Sequence, residues 1–325
     1  MLGGILIFVA IAPSVRMAPI TTDSDLPMRR FLAAFAALAV LCATNAARAQ
    51  GANSTVSFTY ERSTLGPEKP ESPDTKDSLG IQTFRFRAGS PIPLGRSTLL
   101  LTGLSYDLID FPKSTSRGLP TSALHAPTLS LGIMQLLGAH LAISATINGG
   151  FASDFKDRIS MDDVAFGASA GAIYKFSDTF SLGAGVSYSQ QTRRFFPFPI
   201  IALNWQMGQR FRINGSIPAL LNVEYRPASS ITFGIRGAFE ANVFHVSKQY
   251  GEDNTQFSYM TINVGPKATF NFSNTTHLDL YASASAMRRY EYFVDATSKR
   301  DGYLPSVITL GARLWFGSEG WRGEP

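Results

Sequence analysis

The stretch Ile308–Phe316, ITLGARLWF, decides the fold. Apolar residues occupy every second position, and Thr309, Gly311, Arg313 and Trp315 lie between them. This period-two alternation places one set of side chains on each face of a β-strand. A half-buried strand of a soluble sheet alternates in the same way. The interpretation therefore depends on whether the pattern recurs and whether the chain carries an export signal.

The alternation recurs along the chain in segments of about ten residues, for example at 166–176, 180–188 and 231–239. Short connections (SPIPLG, LLGA, FSDT, QMGQ, RPASS, FSNTT) alternate with long ones at about 61–78, 110–125, 151–162, 189–198, 246–256 and 288–305. Short periplasmic turns and long external loops are typical of a transmembrane β-barrel. The apolar stretch 129–147 is long enough for a membrane helix, but the LLGA segment within it favours two strands and a tight turn.

The strand count depends on residues 210–225, RFRINGSIPALLNVEY. The turns before and after this segment, QMGQ and RPASS, are both expected at the periplasmic end. The segment must then cross the membrane twice, with a tight outer bend near Gly215–Pro218. We therefore predict an all-β fold, a single antiparallel transmembrane barrel of 14 strands, with 12 strands as the alternative.

The N-terminal region predicts export. Residues 28–49 combine two arginines, a short apolar run and an Ala-Arg-Ala site, as in a cleaved secretory signal peptide. Residues 1–27 are interpreted as a start-site artefact or an extension, and residues 50–325 as the barrel. Cys42, the single cysteine, lies in the leader, so no disulfide is expected in the mature chain. The predicted location is the bacterial cell outer membrane.

The last strand also carries a resemblance. Thr309, Gly311, Leu314 and Phe316 resemble the C-terminal pattern that barrel-insertion machinery recognises. That machinery is thus an expected partner during biogenesis. The segment 197–237, PFPIIALNWQMGQRFRINGSIPALLNVEYRPASSITFGIRG, resembles an uncharacterised, porin-like family of outer-membrane barrels, a domain of unknown function. The resemblance implies a barrel fold and supplies no activity.

The residues that alternate with the lipid-facing set are expected to line the lumen. These lumen-lining candidates are Arg85, Arg87, Arg210, Arg212, Arg236, Lys267, Arg313, Glu224, Glu240 and Asp279. Cations outnumber carboxylates in this set, which favours anions along a water-filled path. The alternative is that these charges pair with one another and close the interior.

Two loop segments combine arginines with aromatic rings and are candidates for binding an acidic or sugar ligand, or the phosphates of lipopolysaccharide. The loop-binding candidates are Arg193, Arg194, Arg288, Arg289, Tyr290 and Tyr292. Snorkelling cations at the membrane rim are the alternative explanation. The carboxylates at 154–163 do not match a calcium loop and are interpreted as solvated loop charge.

No catalytic motif, cofactor motif or metal-ligand spacing is recognisable, and the four histidines belong to no familiar pattern. An enzyme, a cofactor and a metal are therefore not expected. The net charge of +5 is too small to predict nucleic-acid binding. The leading hypothesis is a passive or weakly anion-preferring diffusion channel that passes small solutes. The alternatives are a non-conducting barrel whose external loops bind a ligand, lipid or partner, and, third, an outer-membrane lipid-modifying enzyme. Outer-membrane lipids and lipopolysaccharide are expected neighbours.

Overall fold

The fold is known from a computed structural model that describes residues 55–64, 81–111, 121, 123–156, 158–189, 197–246, 256–293, 299–303 and 306–318. The predicted extension at 1–27, the signal peptide at 28–49, and Arg193 and Arg194 lie outside these residues. Period-two alternation gives strands in every region where it was predicted. The strands are β1 (Thr55–Thr64), β2 (Gln82–Pro93), β3 (Thr98–Asp110), β4 (Ala123–Leu137), β5 (Leu141–Phe151), β6 (Val164–Lys175), β7 (Phe180–Ser189), β8 (Phe198–Met207), β9 (Phe211–Ile217), β10 (Leu220–Ala228), β11 (Ile231–His245), β12 (Gln256–Ser273), β13 (Thr276–Phe293), β14 (Lys299–Tyr303) and β15 (Ile308–Phe316).

The strands form one closed antiparallel sheet. Each of β1 to β13 pairs with its neighbour in the chain, and β15 closes the ring by pairing with both β13 and β1. The short β14 pairs with the extracellular part of β13, at 289–293, and β15 pairs with its periplasmic part, at 276–284. β14 and β15 therefore share one strand position in the barrel. The barrel therefore has fourteen strand positions, and the prediction of 14 strands is confirmed.

The decisive tight bend lies where it was predicted. β9 ends at Ile217 and β10 begins at Leu220, with a cis peptide before Pro218. The stretch at 129–147 forms β4, a turn and β5 rather than a helix. Among the described residues there is no helix of the length and hydropathy needed to cross a membrane.

Large apolar side chains on the outer face remain 48% to 58% exposed. Examples from six strands are Phe58, Ile133, Ile147, Val186, Ile201 and Ile235. The side chains between them point inward, because some reach partners on strands that are not neighbours in the sheet. The outer face is thus an apolar belt for lipid, and the inner face carries the polar residues.

Three of the prolines in the wall lie where the ladder to one of their two neighbouring strands is interrupted, and each stays in register with the strand on its other side. Pro127 precedes the continuous β4–β5 register that begins at Thr128, and Pro199 precedes the β8–β9 register that begins at Ile201. Pro266 falls in a gap of the β12–β13 register, whereas the register shift itself lies between Ile262 and Asn263.

The outer end of the barrel is pinched. After β5, Ser153 bridges to His125 on β4 and to His245 on β11, which is not a neighbour of β5 in the sheet. The His245 N–H donates to the carbonyl of Ala152 at 2.8 Å. Residues 152–154 therefore continue β5 in register with β4, and the end of β11 meets them above the shorter strands β7 to β10. A single 3-10 turn at Met161–Asp163 then leads into β6.

Candidate functional site: the barrel interior

A charged cluster spans the middle of the barrel. Arg85 on β2 donates to Glu240 on β11 at 2.8 Å, and it also lies 3.0 Å from Glu61 on β1. The Arg236 guanidinium lies 3.8 Å from Glu61 and 4.7 Å from the ring centre of Tyr281. The Tyr281 hydroxyl donates to Glu61 at 2.6 Å. Because these residues come from β1, β2, β11 and β13, the contacts join opposite sides of the wall.

A second cluster lies around Glu224, nearer the periplasmic end. Its carboxylate accepts hydrogen bonds from Arg212 at 2.6 Å, Lys267 at 2.6 Å and Asn214 at 2.8 Å. Glu224 is 4% exposed, so its neutralisation by two cations is what makes burial of the carboxylate tolerable.

Two further ion pairs complete the interior charges. Asp279 accepts from Thr269 at 2.8 Å and from the Trp315 indole at 3.2 Å, and Arg313 lies 4.0 Å away. Arg87 on β2 forms a bidentate pair with Asp107 on β3. Cations and carboxylates on the inner face of the described strands are therefore almost balanced.

The structure places every predicted lumen residue except Arg210 on an inward-facing strand position. Arg210 lies in the exposed β8–β9 turn, because β9 begins only at Phe211, and its assignment to the lumen was wrong. Sequence reasoning also missed Glu61 and Asp107. Glu61 had been assigned to a loop, and Asp107 stands between the outward residues Tyr106 and Leu108. Strict alternation along β1 and β3 would have found both.

The pinched outer end is filled by apolar side chains that point inward. The buried cluster consists of Ile81, Ile109, Phe111, Leu124, Ala126, Ala152, Ala165, Phe244, Val246, Phe257 and Tyr259. About eight strand segments surround it, and a ring of that size is filled by its own side chains. Packed hydrocarbon therefore occupies this part of the outer end.

Accessibility differs between the two sides of the inner wall. On β12 and β13 the inward residues Thr261, Asn263, Ser283 and Ser285 are 2% to 6% exposed. On β5 to β8 the inward positions carry small hydroxyl and amide side chains that remain partly or fully accessible. These positions include Ser144, Thr146, Asn148, Ser169, Ser187 and Asn204. The lumen thus has a packed half and an open, uncharged, polar half.

The segment above the pinch holds charges that were interpreted as solvated, and that interpretation was wrong for two of them. Asp154 and Asp163 are 5% and 3% exposed, whereas Asp162 is exposed. Asp163 accepts from the Ser160 N–H at 2.7 Å and lies 2.7 Å from Nδ1 of His245. The contact with His245 fixes the segment that leads into β6 to the end of β11.

Nearby, Tyr106 and Nδ1 of His125 are 2.7 Å apart. In the described residues, no serine hydroxyl is hydrogen-bonded to the ring of His125 or His245. No group of three metal-ligating side chains with suitable spacing occurs in the described parts of the chain.

The loop-binding candidates that the structure describes are not in a loop. Arg288, Arg289, Tyr290 and Tyr292 lie on β13, which continues to Phe293 and pairs with both β12 and β14. Their assignment to a loop was wrong, because alternation persists beyond the residue at which the loop was placed. Arg288 is 2% exposed, and its Nε donates to the Tyr259 hydroxyl at 3.3 Å.

The four residues of the predicted insertion signal divide between the two faces of β15. Thr309 and Gly311 face inward, where the Gly311 backbone lies directly under the Tyr281 ring. Leu314 and Phe316 face outward and are 38% and 39% exposed. β15 thus has an apolar face toward lipid and a close-packed face toward the lumen.

A closed barrel with an apolar outer belt and a polar interior defines an outer-membrane β-barrel protein, and the bacterial outer membrane is its location. Within that class, the chain belongs to the family described as Domain of unknown function (DUF6268), whose model matches residues 96–299. The matched range contains the segment at 197–237 that carries the resemblance.

Solved outer-membrane barrels are similar in architecture. An outer membrane channel from Pseudomonas putida F1 has 11% identity and a TM-score of 0.41, covering 81% of this chain and 95% of its own. A Pseudomonas aeruginosa FadL homologue has 11% identity and a TM-score of 0.40, covering 82% and 90%. A bacterial polysaccharide outer membrane secretin has 9% identity and a TM-score of 0.39, covering 81% and 98%. No curated protein matches the sequence. At these identities and scores no function transfers, so function must be argued from the interior.

Proposed function

We propose that the protein is a narrow diffusion channel for small polar solutes. One observation carries the proposal: most inward side chains of β5 to β8 are small, uncharged and accessible, whereas the inward residues of β12 and β13 are packed. Hydroxyl and amide groups along an accessible wall can replace part of a solute's hydration shell without holding it strongly. The accessible half of the lumen is the path.

The charge preference of such a channel is weak. Arg85, Arg87, Arg212, Arg236, Lys267 and Arg313 face Glu61, Asp107, Glu224, Glu240 and Asp279. With the inward-facing Arg288 added, this set on the described strands holds seven cations against five carboxylates. This excess tilts the path toward anions, but most of the field of each paired cation is cancelled by its neighbour. Small uncharged solutes and small anions are the expected cargo.

The test is conductance of the refolded chain 50–325 in a planar bilayer, with the reversal potential measured under a salt gradient. We expect discrete steps with a small anion preference. Ser144→Trp, which places a ring in the accessible half, should at least halve the step size. Ile143→Trp places the same ring on the lipid face one residue away and should leave the steps unchanged.

A second candidate is a non-conducting barrel that binds a ligand or lipid through its external surface. The packed apolar cluster at the outer end favours it. A correctly folded barrel that gives neither ionic steps nor sugar uptake would select this candidate and reject the channel. An enzymatic role has the weakest support: among the described residues no serine hydroxyl is hydrogen-bonded to a histidine ring, and the Tyr106 hydroxyl beside His125 is buried.

A further inference from the structure

Two of the lumen cations that lie near carboxylates differ from the others in their hydrogen bonding. The Arg236 guanidinium is 3.8 Å from Glu61, and the Arg313 guanidinium is 4.0 Å from Asp279. Both distances are too long for a hydrogen bond. Within the part of the chain that the structure describes, neither guanidinium donates a hydrogen bond to the protein. The cations that do donate to carboxylates are Arg85, Arg87, Arg212 and Lys267.

The carboxylates nearest to the two arginines already accept hydrogen bonds from other donors. Glu61 accepts from the Tyr281 hydroxyl at 2.6 Å. Asp279 accepts from the Thr269 hydroxyl at 2.8 Å and from the Trp315 indole at 3.2 Å. The two guanidiniums are therefore attracted by these carboxylates without being hydrogen-bonded to them. Each guanidinium keeps five N–H donors in a planar fork, a shape that matches the two oxygens of a carboxylate or phosphate.

Aromatic rings hold both guanidiniums in position. Arg236 lies over the ring of Tyr281, 4.7 Å from its centre, and Arg313 lies 5.6 Å from the centre of the Trp315 ring. Both distances are within the range of a cation–π contact. Such a contact positions the cation but supplies no oxygen acceptor for its N–H groups. The donors are thus pre-positioned and still available to a solute.

Arg236 and Arg313 belong to one patch of the inner wall, although they come from β11 and β15. The Tyr281 ring, which contacts Arg236, covers the backbone of Gly311, and Arg313 is the next inward residue on β15. The Arg313 guanidinium is close enough to Arg236 to be repelled by its charge. The two side chains are 17% and 40% exposed, so both reach the lumen. Neighbouring cations that repel each other and lack an oxygen acceptor would both be stabilised by one shared anion.

We propose that Arg236 and Arg313 together bind an oxyanion, the carboxylate or phosphate group of a small solute, on its way through the lumen. This inference rests on the proposed channel function and deepens it, because it names the group by which a solute is recognised. An oxyanion accepts several N–H bonds from the two forks, whereas chloride gains chiefly from the charge. Glu61 and Asp279 beside the site keep the binding weak enough for the solute to leave.

The fluorescence of Trp315 tests binding independently of transport. The chain has three tryptophans, so Trp205→Phe with Trp321→Phe leaves Trp315, beside Arg313, as the reporter. The refolded chain 50–325 is titrated with sodium acetate or sodium phosphate, which replace sodium chloride at constant ionic strength. We expect a saturable change in emission with at least one of these oxyanions, and the one that saturates at the lower concentration identifies the preferred group. No saturable change with either would overturn the proposal.

Variants of the same reporter protein test whether the two guanidiniums are responsible. Arg236→Gln removes one fork and should weaken binding about tenfold. Arg313→Lys keeps the charge but loses the fork, and it should weaken binding by a similar factor of about ten. The matched control is Arg96→Gln, which removes an arginine from the exposed β2–β3 turn and should leave the affinity unchanged.

Heat-modifiable mobility verifies that each variant is folded, and Arg313→Lys carries the test alone if Arg236→Gln does not fold. Binding by Arg313→Lys that is as tight as in the parent would show attraction by charge alone and would overturn the proposal. A loss of affinity in Arg96→Gln equal to that in the lumen variants would overturn it as well.

Conductance separates failure of the site from failure of the channel. The step size should saturate at a lower concentration of the preferred sodium salt than of sodium chloride, because the oxyanion stays bound for longer. Arg313→Lys should remove this difference. Ionic steps without a saturable Trp315 signal would overturn the site and leave the channel standing. A saturable signal in a folded barrel that gives no ionic steps would reject the channel and leave the oxyanion site standing.

Discussion

Arg85 on β2 and Glu240 on β11 are separated by 155 residues in the chain, and Nη1 of the arginine donates to the carboxylate at 2.8 Å across the barrel. Burial disfavours each charge on its own, so each stabilises the other inside the packed half of the lumen. The bond therefore works as a strut between two parts of the wall that the sheet connects only indirectly.

Removing this strut from one side should be costly. Arg85→Gln leaves Glu61 and Glu240 in the packed half without their shared cation, and we expect a loss of about 3 kcal/mol. Urea unfolding in lipid vesicles measures it. Arg87→Gln is the matched control, because the Arg87 side chain is 45% exposed, and its loss should stay below about 1 kcal/mol. Equal stability of the two variants would contradict a structural role for the strut.

Glu224 sets the charge of the inner periplasmic region. Glu224→Gln keeps the shape of the side chain but leaves Arg212 and Lys267 without their carboxylate. The anion preference should then increase, seen as a larger reversal potential under the same salt gradient, with folding retained. The control is Gln206→Glu, which adds a carboxylate to the inward face of β8 and should shift the potential in the opposite direction. An unchanged potential in both variants would show that the ions do not pass these residues.

Gly311 leaves the space that Tyr281 fills. A Cβ at position 311 would overlap atoms of the Tyr281 ring, so Gly311→Val must displace a ring that also donates to Glu61. We expect the folded fraction after refolding, read from heat-modifiable mobility, to fall at least fivefold. Gly95→Val is the control, since a Cβ there meets nothing within 4 Å. Efficient folding of Gly311→Val would show that the ring has another place to go.

The contact between Asp163, just before β6, and His245 on β11 should make the stability of the pinched outer end depend on pH. Burial alone would raise the pKa of Asp163, but hydrogen bonds from Ser153, Ser160 and His245 outweigh it and hold the pKa below its ordinary value. The stabilisation is then complete above pH about 4 and disappears as the pH falls through the folded-state pKa.

Asp163→Asn should accordingly lower the melting midpoint at pH 7, and the difference from the unaltered protein should shrink as the pH falls below about 4 and through the folded-state pKa. The exposed neighbour provides the control, Asp162→Asn, which should have no effect at either pH. A difference that persists at low pH would point to packing rather than to the ionised carboxylate.

The barrel, its fourteen strands and the bend at Gly215–Pro218 could be predicted because period-two alternation and turn residues are local signals. The partner of Arg85 could not, since nothing local connects β2 to β11. The same limit explains why Asp163 was interpreted as solvated: its burial depends on contact with His245 at the end of β11, 82 residues away. Alternation assigns a side chain to a face, but only the closed structure shows what it meets there.

The central cluster also bears on how the molecule is assembled. Glu61 belongs to the first strand, and Tyr281, 220 residues later, belongs to the second-last strand position. A chain that has inserted only its first ten strands holds the carboxylate of Glu61 but neither Arg236 nor Tyr281. Arg85 on β2 is already present at that stage, but its second carboxylate partner, Glu240, is not. The last strands thus bring both the seam and the missing members of the central cluster, so ring closure and completion of that cluster become a single event in biogenesis.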